Sequence, residues 1–556
     1  LSPNPVYKDE EKTILKHPGL DNHGMGTIFE ELIRKFSENA EAGDHYTGRD
    51  IIKLMVNILL AEGCDDIFDD GKVITILDQA CGTGGMLSTG YNFIKRYNPS
   101  ADVRLFGQEI NPESYAMCLA EMLIKGQNAE NICYQDTMKA DRFKGTKMRF
   151  VLENPPFGTA WGGKDAAEGV EDAVNTEYQK GFDGRWGAGL PGSGDMQMLF
   201  LQSAIDKMDD NFGRAAIIEN GSPLFSGGTA SGESQIRRWM LESDLIEAVI
   251  ALPTDLFYNT GIATYIWVLS KNKRPERKGK IQLIDASTFF KKLRKALGDK
   301  KNEISPEDRS AVTKLYADFA ENEYCKIYRN EEFIYREYTV MQPLQRSYAI
   351  TEERIQAMVG KGALDSLYNE VKFADLELME ERDGKAQKQL NKFFVGKPIY
   401  DAILADLNHA ISDTVWMSPD AFMPHLTEVL SKATTDKKLL EKIADGLSVM
   451  DKNAEIQRDR KGNIIYDKET KDTELVRWEE SIEDYMAREV LPHIPDAAAF
   501  FEEDLSAKKP VIKTGAEIPF TRYFYKYQQP TASEELEAKF SELELSVSER
   551  VAKLFE

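Results

Sequence analysis

The chain has 556 residues, 42% hydrophobic and 10% aromatic, which excludes both a disordered polypeptide and a single small core. No run approaches the roughly 18 apolar residues of a membrane-spanning helix, and no secretory signal is recognisable, so a cytoplasmic protein is expected. A net charge of −23 opposes tight, autonomous binding to a phosphate backbone, so a nucleic-acid substrate would need help from a partner.

In chain order, residues 1–43 are expected to be helical, because Ile28, Phe29, Leu32, Ile33 and Phe36 recur at helical spacing. The chain opens at Leu1 rather than Met, which points to N-terminal truncation. A second helix is expected after Asp44, with Ile51, Ile52, Leu54, Met55 and Ile58 apolar. Short apolar runs at VITILD (73–78), VRLFGQEI (103–110), ICYQD and MRFVLEN alternate with helical stretches, the pattern of a parallel sheet covered on both faces. Further strands are expected at AAIIEN (215–220), LIEAVIAL (245–252), TYIWVLS (264–270) and IQLIDAS (281–287). Residues 158–194 are rich in glycine and lack a period, the texture of a functional loop. Beyond about residue 290 the sequence becomes charged and mostly helical, with one hairpin at RDRKGNIIYD turning near Gly462 and Asn463. Leu536, Phe540, Leu543, Val547, Val551 and Leu554 approximate a heptad seam, suited to a partner helix or to the chain's own domain. The expected divisions are therefore 1–43, 44–290, 291–530 and 531–556.

Cys64, Cys81, Cys118, Cys133 and Cys325 show no metal-knuckle spacing and the six histidines are scattered, so reduced thiols and no metal site are expected.

The chemistry gathers at the ends of the early strands. In LDQACGTGGML (77–87) an expected strand ends at Asp78, and a glycine turn opens a helix. Glycine allows positive φ and close approach of backbone to ligand, at the edge where doubly wound sheets bind nucleotides. There is no third glycine in register and no GK[ST], which disfavours a pyrophosphate grip. Glu109 ends the next expected strand, where a carboxylate can hold both hydroxyls of a ribose, and Asp136 ends the one after, where an adenine amine could be read. Any one of these acids could be a mere helix cap. Together they describe an adenosine pocket without a phosphate grip, which suits S-adenosylmethionine better than NAD or ATP.

The stretch VLENPPFG (151–158) opens as a buried strand and stops on Asn154. Prolines fix φ and hold the preceding residue extended, so the Asn154 side-chain oxygen and the Pro155 carbonyl can face one point. Two acceptors there would hold a planar amino group and stabilise charge that develops as its nitrogen attacks a methyl carbon. Asn cannot take up a proton at neutral pH, so it positions rather than acting as a base. Phe157 offers a face on which a base can stack.

DHYTGRD, LDQACGTGGML, FGQEINPESYA, YQDTM and ENPPFG, in that order, resemble the amino-methyltransferases of DNA, and most closely the modification subunit of type I restriction–modification enzymes. The resemblance extends through MQMLFLQSAIDKM, GRAAIIENGSPLF and LFYNTGIATYIWVLSKNK to EVLPHIPDAAA and EIPFTRYFYKY. It implies a Rossmann-like S-adenosylmethionine-dependent methyltransferase sheet with a helical N-terminal remainder and a mostly helical C-terminal region. It also implies N6-adenine methylation of a base flipped out of DNA, and assembly with a specificity subunit, two copies of this chain to each, and with a restriction subunit.

Carried over by position, Asn154, Pro155, Pro156 and Phe157 match the catalytic tetrapeptide. Asp78, Ala80, Gly82, Thr83 and Gly84 match the cofactor loop, Glu109 and Ile110 the ribose side, and Asp136 the adenine side. Tyr46 and Thr47 match the segment that closes over the cofactor's methionine part, and Asn154 borders the same pocket. Gly48 and Gln79 stand where the family usually has proline, which loosens the pocket. Glu153 stands where a small or neutral residue is commoner, as a pH or affinity tuner or a side chain pointing away. Lys164, Arg185 and Trp186 are candidates to order around a flipped strand, with Trp186 as a wedge or a buried anchor. Methylation of RNA bases or of protein glutamine, and a cofactor-binding scaffold without catalysis, remain the alternatives.

Overall fold

The computed structural model describes residues 4–8, 13–17, 47–258, 260–379, 383–525 and scattered positions between 533 and 547. By internal contacts the chain divides into one unit of residues 1–336, 477–479 and 503–556, and another of 337–476 and 480–502.

In the first unit β1 (Asn4–Lys8) and β2 (Thr13–His17) form an antiparallel pair. The helical expectation for residues 1–43 is corrected there; Ile28, Phe29, Leu32, Ile33 and Phe36 lie outside the described residues. Helix α1 (Arg49–Ala61) buries Ile51, Ile52, Leu54, Met55, Val56, Ile58 and Leu59. Then follow β3 (Val73–Asp78), α2 (Gly85–Tyr97), β4 (Asp102–Glu109), α3 (Pro112–Ile124), β5 (Ile132–Tyr134) and β6 (Phe150–Glu153). Next come α4 (Val170–Tyr178), α5 (Gln197–Lys207), β7 (Arg214–Asn220), α6 (Ser222–Phe225), α7 (Gly232–Glu242), β8 (Ile246–Ala251) and β9 (Thr264–Ser270). The run closes with β10 (Lys280–Asp285), β11 (Lys291–Leu297), β12 (Lys300–Glu303), α8 (Pro306–Asp318) and β13 (Cys325–Arg329).

Nine strands form one sheet in the order β13-β10-β8-β9-β7-β6-β3-β4-β5. The pairs β7–β6–β3–β4–β5 and β10–β8 are parallel. Strand β9 runs antiparallel between β7 and β8, and β13 is an antiparallel edge. The expectation of a parallel sheet is corrected at these two strands. β9 is buried along its whole length, so no polar/apolar alternation marks its direction in the sequence.

Alternation across the sheet separates two cores. Ile74, Ile76, Phe150, Leu152, Ala216 and Ile218 pack towards α1 and α2. Leu77, Val151, Ala215 and Ile217 pack towards α5 and α7. Residues alternating along one strand therefore serve opposite layers. The five cysteines are free thiols. Among the described residues no helix is long and apolar enough to cross a membrane.

In the second unit, helices Glu352–Gly360, Gly384–His409, Pro419–Val429 and Lys437–Gly446 pack around Ile355, Ile403, Phe422, Leu426 and Ile443. The hairpin expected at Gly462 is present, with Arg458 bridged to Ile464 and Gly462 at φ 87°.

The edge of the sheet opposite the strands' C-termini is pinned by a buried charge cluster. Arg214 Nη1 donates to Glu247 Oε2 at 2.8 Å, Nη2 to the Tyr316 hydroxyl at 2.7 Å and Nε to the Leu59 carbonyl at 3.2 Å. β7, β8, α1 and α8 are tied together by these bonds. Burial alone would raise the Glu247 carboxyl, but the Arg214 guanidinium more than offsets this and brings it down to about 2. Glu247→Ala would leave a buried guanidinium uncompensated. It is expected to lower stability by about 3–5 kcal/mol in urea unfolding, while Lys291→Ala, which removes an exposed pair to Glu307, should leave the unfolding midpoint nearly unchanged.

Candidate active site

β3 pairs with β6 through Ile76–Phe150 and Leu77–Val151, and with β4 through Asp78–Gly107. β4 pairs with β5 through Glu109–Tyr134. Asn154, Asp78, Glu109 and Asp136 therefore stand at or just beyond the ends of four neighbouring strands, in that spatial order.

After β3 the chain turns through Gly82 at φ 51° and Gly84 at φ 82°, both left-handed and favourable to glycine. The two glycines serve different ends. A Cβ on Gly84 would sit 2.7 Å from Cys118 Sγ and 2.8 Å from Met122 Cε, so this residue lets α2 begin hard against α3. A Cβ on Gly82 would meet nothing within 4 Å, so this residue borders open space.

The Glu109 carboxylate bridges two loops. Gly82 N–H donates to Oε2 and Asn111 N–H to Oε1, each at 2.7 Å. Asn111 in turn caps α3, its side chain accepting from Glu113 N and Ser114 N. The Glu109 carboxylate is thus positioned by backbone donors from either side.

Asp78 is buried, and its Oδ1 accepts from Ala80 N at 3.0 Å. Burial pushes its carboxyl up to about 8; the Ala80 N–H opposes this and the Glu109 charge adds to it. Asp136 has one oxygen committed to its own turn, accepting from Met138 N at 2.8 Å. Between the two acid-bearing loops, Ile110 and Tyr134 are exposed, and Tyr134 rests against Tyr115 with ring centroids 5.7 Å apart. These apolar surfaces beside Glu109 and Asp136 suit a purine. The sequence reading passed over Tyr134, although an aromatic at the open end of a short strand was the available signal.

Asn154 is 9% exposed, and its Nδ2 donates to Thr47 Oγ1 at 2.8 Å. Thr47 directly precedes Gly48, whose carbonyl accepts from Ile51 N and Ile52 N at the start of α1. The bond orients the amide with Oδ1 opposite Thr47. Tyr46 lies outside the described residues. Pro155 is buried and Pro156 half-buried. Phe157 is half-buried and meets Phe257 edge-on, with centroids 6.4 Å apart. Ala80 and Thr83 are half-buried in the glycine turn.

Glu153 is 0% exposed. Burial, then Asp78, holds its carboxyl well above the usual range, so it is a neutral acid inside the sheet and faces no DNA. Glu219, at the end of the adjoining β7, is raised in the same way by burial, Asp195 and Glu153.

The glycine-rich stretch 158–194 contains a helix, α4, and of the two roles weighed for Trp186 the buried anchor is the one observed: it is fully buried, with its Nε1 donating to the Leu199 carbonyl at 3.2 Å. Arg185 is buried, donating from Nη1 to the Thr137 carbonyl at 2.7 Å and from Nη2 to Glu177 Oε2 at 2.8 Å. These two residues brace the Asp136 turn; Lys164 alone of the three is exposed. Sequence reading also missed Asp195 and Gln197. Gln197 Oε1 accepts from Asn220 N at 2.9 Å and its Nε2 donates to Asp195 Oδ2 at 2.6 Å, joining the end of β7 to the start of α5.

A glycine turn, a strand-end carboxylate beside it with no phosphate-gripping loop, and an Asn-Pro-Pro-Phe strand end are the features of nucleoside-cofactor proteins built on a doubly wound sheet. The sequence pattern of the N-6 DNA methylase family matches residues 20–354, and the chain belongs to that family. Its cofactor is S-adenosylmethionine, and the residues present fit it: Gly82 borders open space, Glu109 is preset beside it, and Ile110 and Tyr134 offer apolar faces.

The chain is 30% identical over 279 residues to the type I restriction enzyme MjaVII methylase subunit of Methanocaldococcus jannaschii, covering 49% of this chain and 44% of that one. It is 29% identical over 267 residues to the HindI methylase subunit of Haemophilus influenzae, covering 47% and 54%. The chain thus spans about half the length of these curated relatives. Among solved structures, the type I restriction–modification methyltransferase subunit of Streptococcus thermophilus aligns with a TM-score of 0.47 and 27% identity, over 56% of this chain and 61% of that one.

The raised carboxyl of Asp78 sets a pH dependence. Its folded value lies near 8 and its unfolded value near about 3.9. Between these values the folded state binds the extra proton, so this group's contribution to stability is full below the unfolded value and is lost as pH rises through about 8. Asp78→Asn is expected to flatten that part of the melting-temperature profile of the ligand-free protein. An unchanged slope would show that Asp78 is ionised throughout.

Proposed function

We propose that this chain is the modification subunit of a type I restriction–modification system and methylates N6 of adenine in DNA. The observation that carries this reading is the Asn154 amide, oriented by Thr47 at the tip of β6, one strand away from the glycine turn of β3.

S-adenosylmethionine supplies an electrophilic methyl group. Glu109 would hold its ribose hydroxyls, Ile110 and Tyr134 would flank its adenine, and Asp136 would read the adenine amine through the oxygen not committed to the turn. Thr47 and Asp78 would border the methionine part. Asn154 Oδ1 and the Pro155 carbonyl would accept the two amino protons of the target base, drawing its nitrogen towards tetrahedral geometry. Holding that nitrogen in line with the methyl carbon supplies much of the remaining rate. A buried Asn154 cannot meet a base stacked in a duplex, so the adenine must be extruded.

A separate specificity subunit would supply sequence recognition. Leu536, Phe540, Leu543 and Val547 are helical and exposed, which supports the C-terminal segment as its dock; Val551 and Leu554 lie outside the described residues. Two copies of this chain per specificity subunit, a restriction subunit in the full assembly and a cytoplasmic location belong to the same reading.

Asn154→Ala is expected to lower methyl transfer at least about 100-fold while cofactor affinity stays within a few-fold. Normal methylation by this variant would overturn the site assignment. Radiolabelled transfer to plasmid DNA, RNA and protein, with the specificity subunit present, should label DNA; label on RNA or protein would replace the substrate. The isolated chain should bind duplex DNA weakly and without sequence preference, and a tight, sequence-specific gel shift by it alone would contradict this division of labour.

A further inference from the structure

The chain carries a net charge of −23, yet residues 291–301, KKLRKALGDKK, hold six basic side chains and one acidic one. This stretch is the β11–β12 hairpin. Its basic residues divide into three groups. Lys300 is buried and works as a rivet, its Nζ donating to Asp50 Oδ2 and to the Leu256 carbonyl, each at 3.0 Å. Lys291 pairs with Glu307 at 2.9 Å and Lys301 with Asp255 at 3.3 Å. Lys292, Arg294 and Lys295 are exposed and, among the described residues, have no carboxylate within ion-pair distance.

The hairpin is fastened to the walls of the active site. Asp299 N donates to the Tyr258 carbonyl at 2.8 Å, Lys301 N to the Asp255 carbonyl at 2.9 Å, and Asn302 Nδ2 to the Thr254 carbonyl at 2.9 Å. That loop carries Phe257, the ring against which Phe157 packs. Asp50, held by Lys300, lies in the first turn of α1, three residues after the Thr47 that orients Asn154. A Cβ on Gly48 would lie 3.1 Å from Lys300 Nζ and 2.5 Å from Asp50 Oδ1, so the hairpin's rivet reaches the strand-end segment itself.

We infer that the β11–β12 hairpin is a phosphate-binding arm that grips the DNA backbone beside the entrance to the Asn154 site. Lys292 pairs opposite Asn302, and Arg294 and Lys295 follow in the irregular stretch before Leu297 rejoins the ladder at Lys300, so the three cations are gathered on one short, exposed segment of the hairpin. A solvated basic patch would need no attachment to both walls of the site. This one is fastened through Asp299, Lys300, Lys301 and Asn302, and the three free cations lie on the partner strand of the same hairpin. Phosphate contacts position a duplex without reading its sequence, which agrees with specificity residing in another subunit. The inference rests on the DNA-methylating reading above.

The test compares the full-length protein with the triple variant Lys292→Gln, Arg294→Gln, Lys295→Gln, and with the charge-keeping variant Lys292→Arg, Arg294→Lys, Lys295→Arg. Affinity for a fluorescent duplex is measured by anisotropy across a salt series, S-adenosylmethionine affinity by calorimetry, and methyl transfer with the specificity subunit present. The glutamine variant is expected to bind duplex at least about tenfold more weakly at low salt, and its log–log salt slope to shrink by about 2–3, since each phosphate contact contributes about 0.9. Its cofactor affinity should match the wild type, and the charge-keeping variant should restore duplex binding. Unchanged duplex affinity and salt slope in the glutamine variant, with the wild type methylating DNA, overturns the arm and leaves the function standing. A wild type that does not methylate DNA, or whose hairpin cations bind RNA or anionic vesicles in preference to duplex, overturns the arm together with the function.

Discussion

The parallel pairing of β3 with β6 is the constraint on which the site depends. It brings together two strand ends that are distant in sequence, one opening into a glycine turn and the other stopping on Asn154. Every other feature refines that meeting. The Glu109 carboxylate, bridged by backbone donors from two loops, sets one side. The Thr47 hydroxyl sets the orientation of the amide. The Arg214–Glu247–Tyr316 cluster ties the sheet to its covering helices far from the chemistry. The same sheet is therefore rigid at one edge and open at the other.

Much of this was legible in the sequence because it is local. VITILD and TYIWVLS occupy the strands expected of them residue for residue, since short apolar runs bounded by turn formers leave little freedom. The acids ending β3 and β4 were legible because strand length sets where a side chain emerges. The direction of β9 was not, because a strand buried on both faces has the same pattern either way. The loop at 158–194 misled because its glycines mark turns around Trp161, Trp186 and α4, and a small core formed by distant residues leaves no period. The raised carboxyl of Asp78 was invisible as well, since it arises from burial and from the neighbouring Glu109 charge, which only the folded chain brings close.

Charge is handled in the same way throughout the first unit. Bulk acidity is combined with local exceptions, each held by a specific attachment. Arg185 is drawn inward to brace the turn after Asp136, and Lys300 is drawn inward to fasten a hairpin. Glu153 and Glu219 are fully buried near the ends of adjoining strands, and burial raises both carboxyls, which favours their neutral forms next to the strand end that leads into Asn154.

The contact between Thr47 and Asn154 has one further consequence. A hydroxyl can accept from an amide or, by turning about its C–O bond, donate to a carboxylate. The Thr47 hydroxyl can therefore pair with either Asn or Asp at position 154. A lineage could exchange one acceptor for the other there by a single-nucleotide change and keep this hydrogen bond.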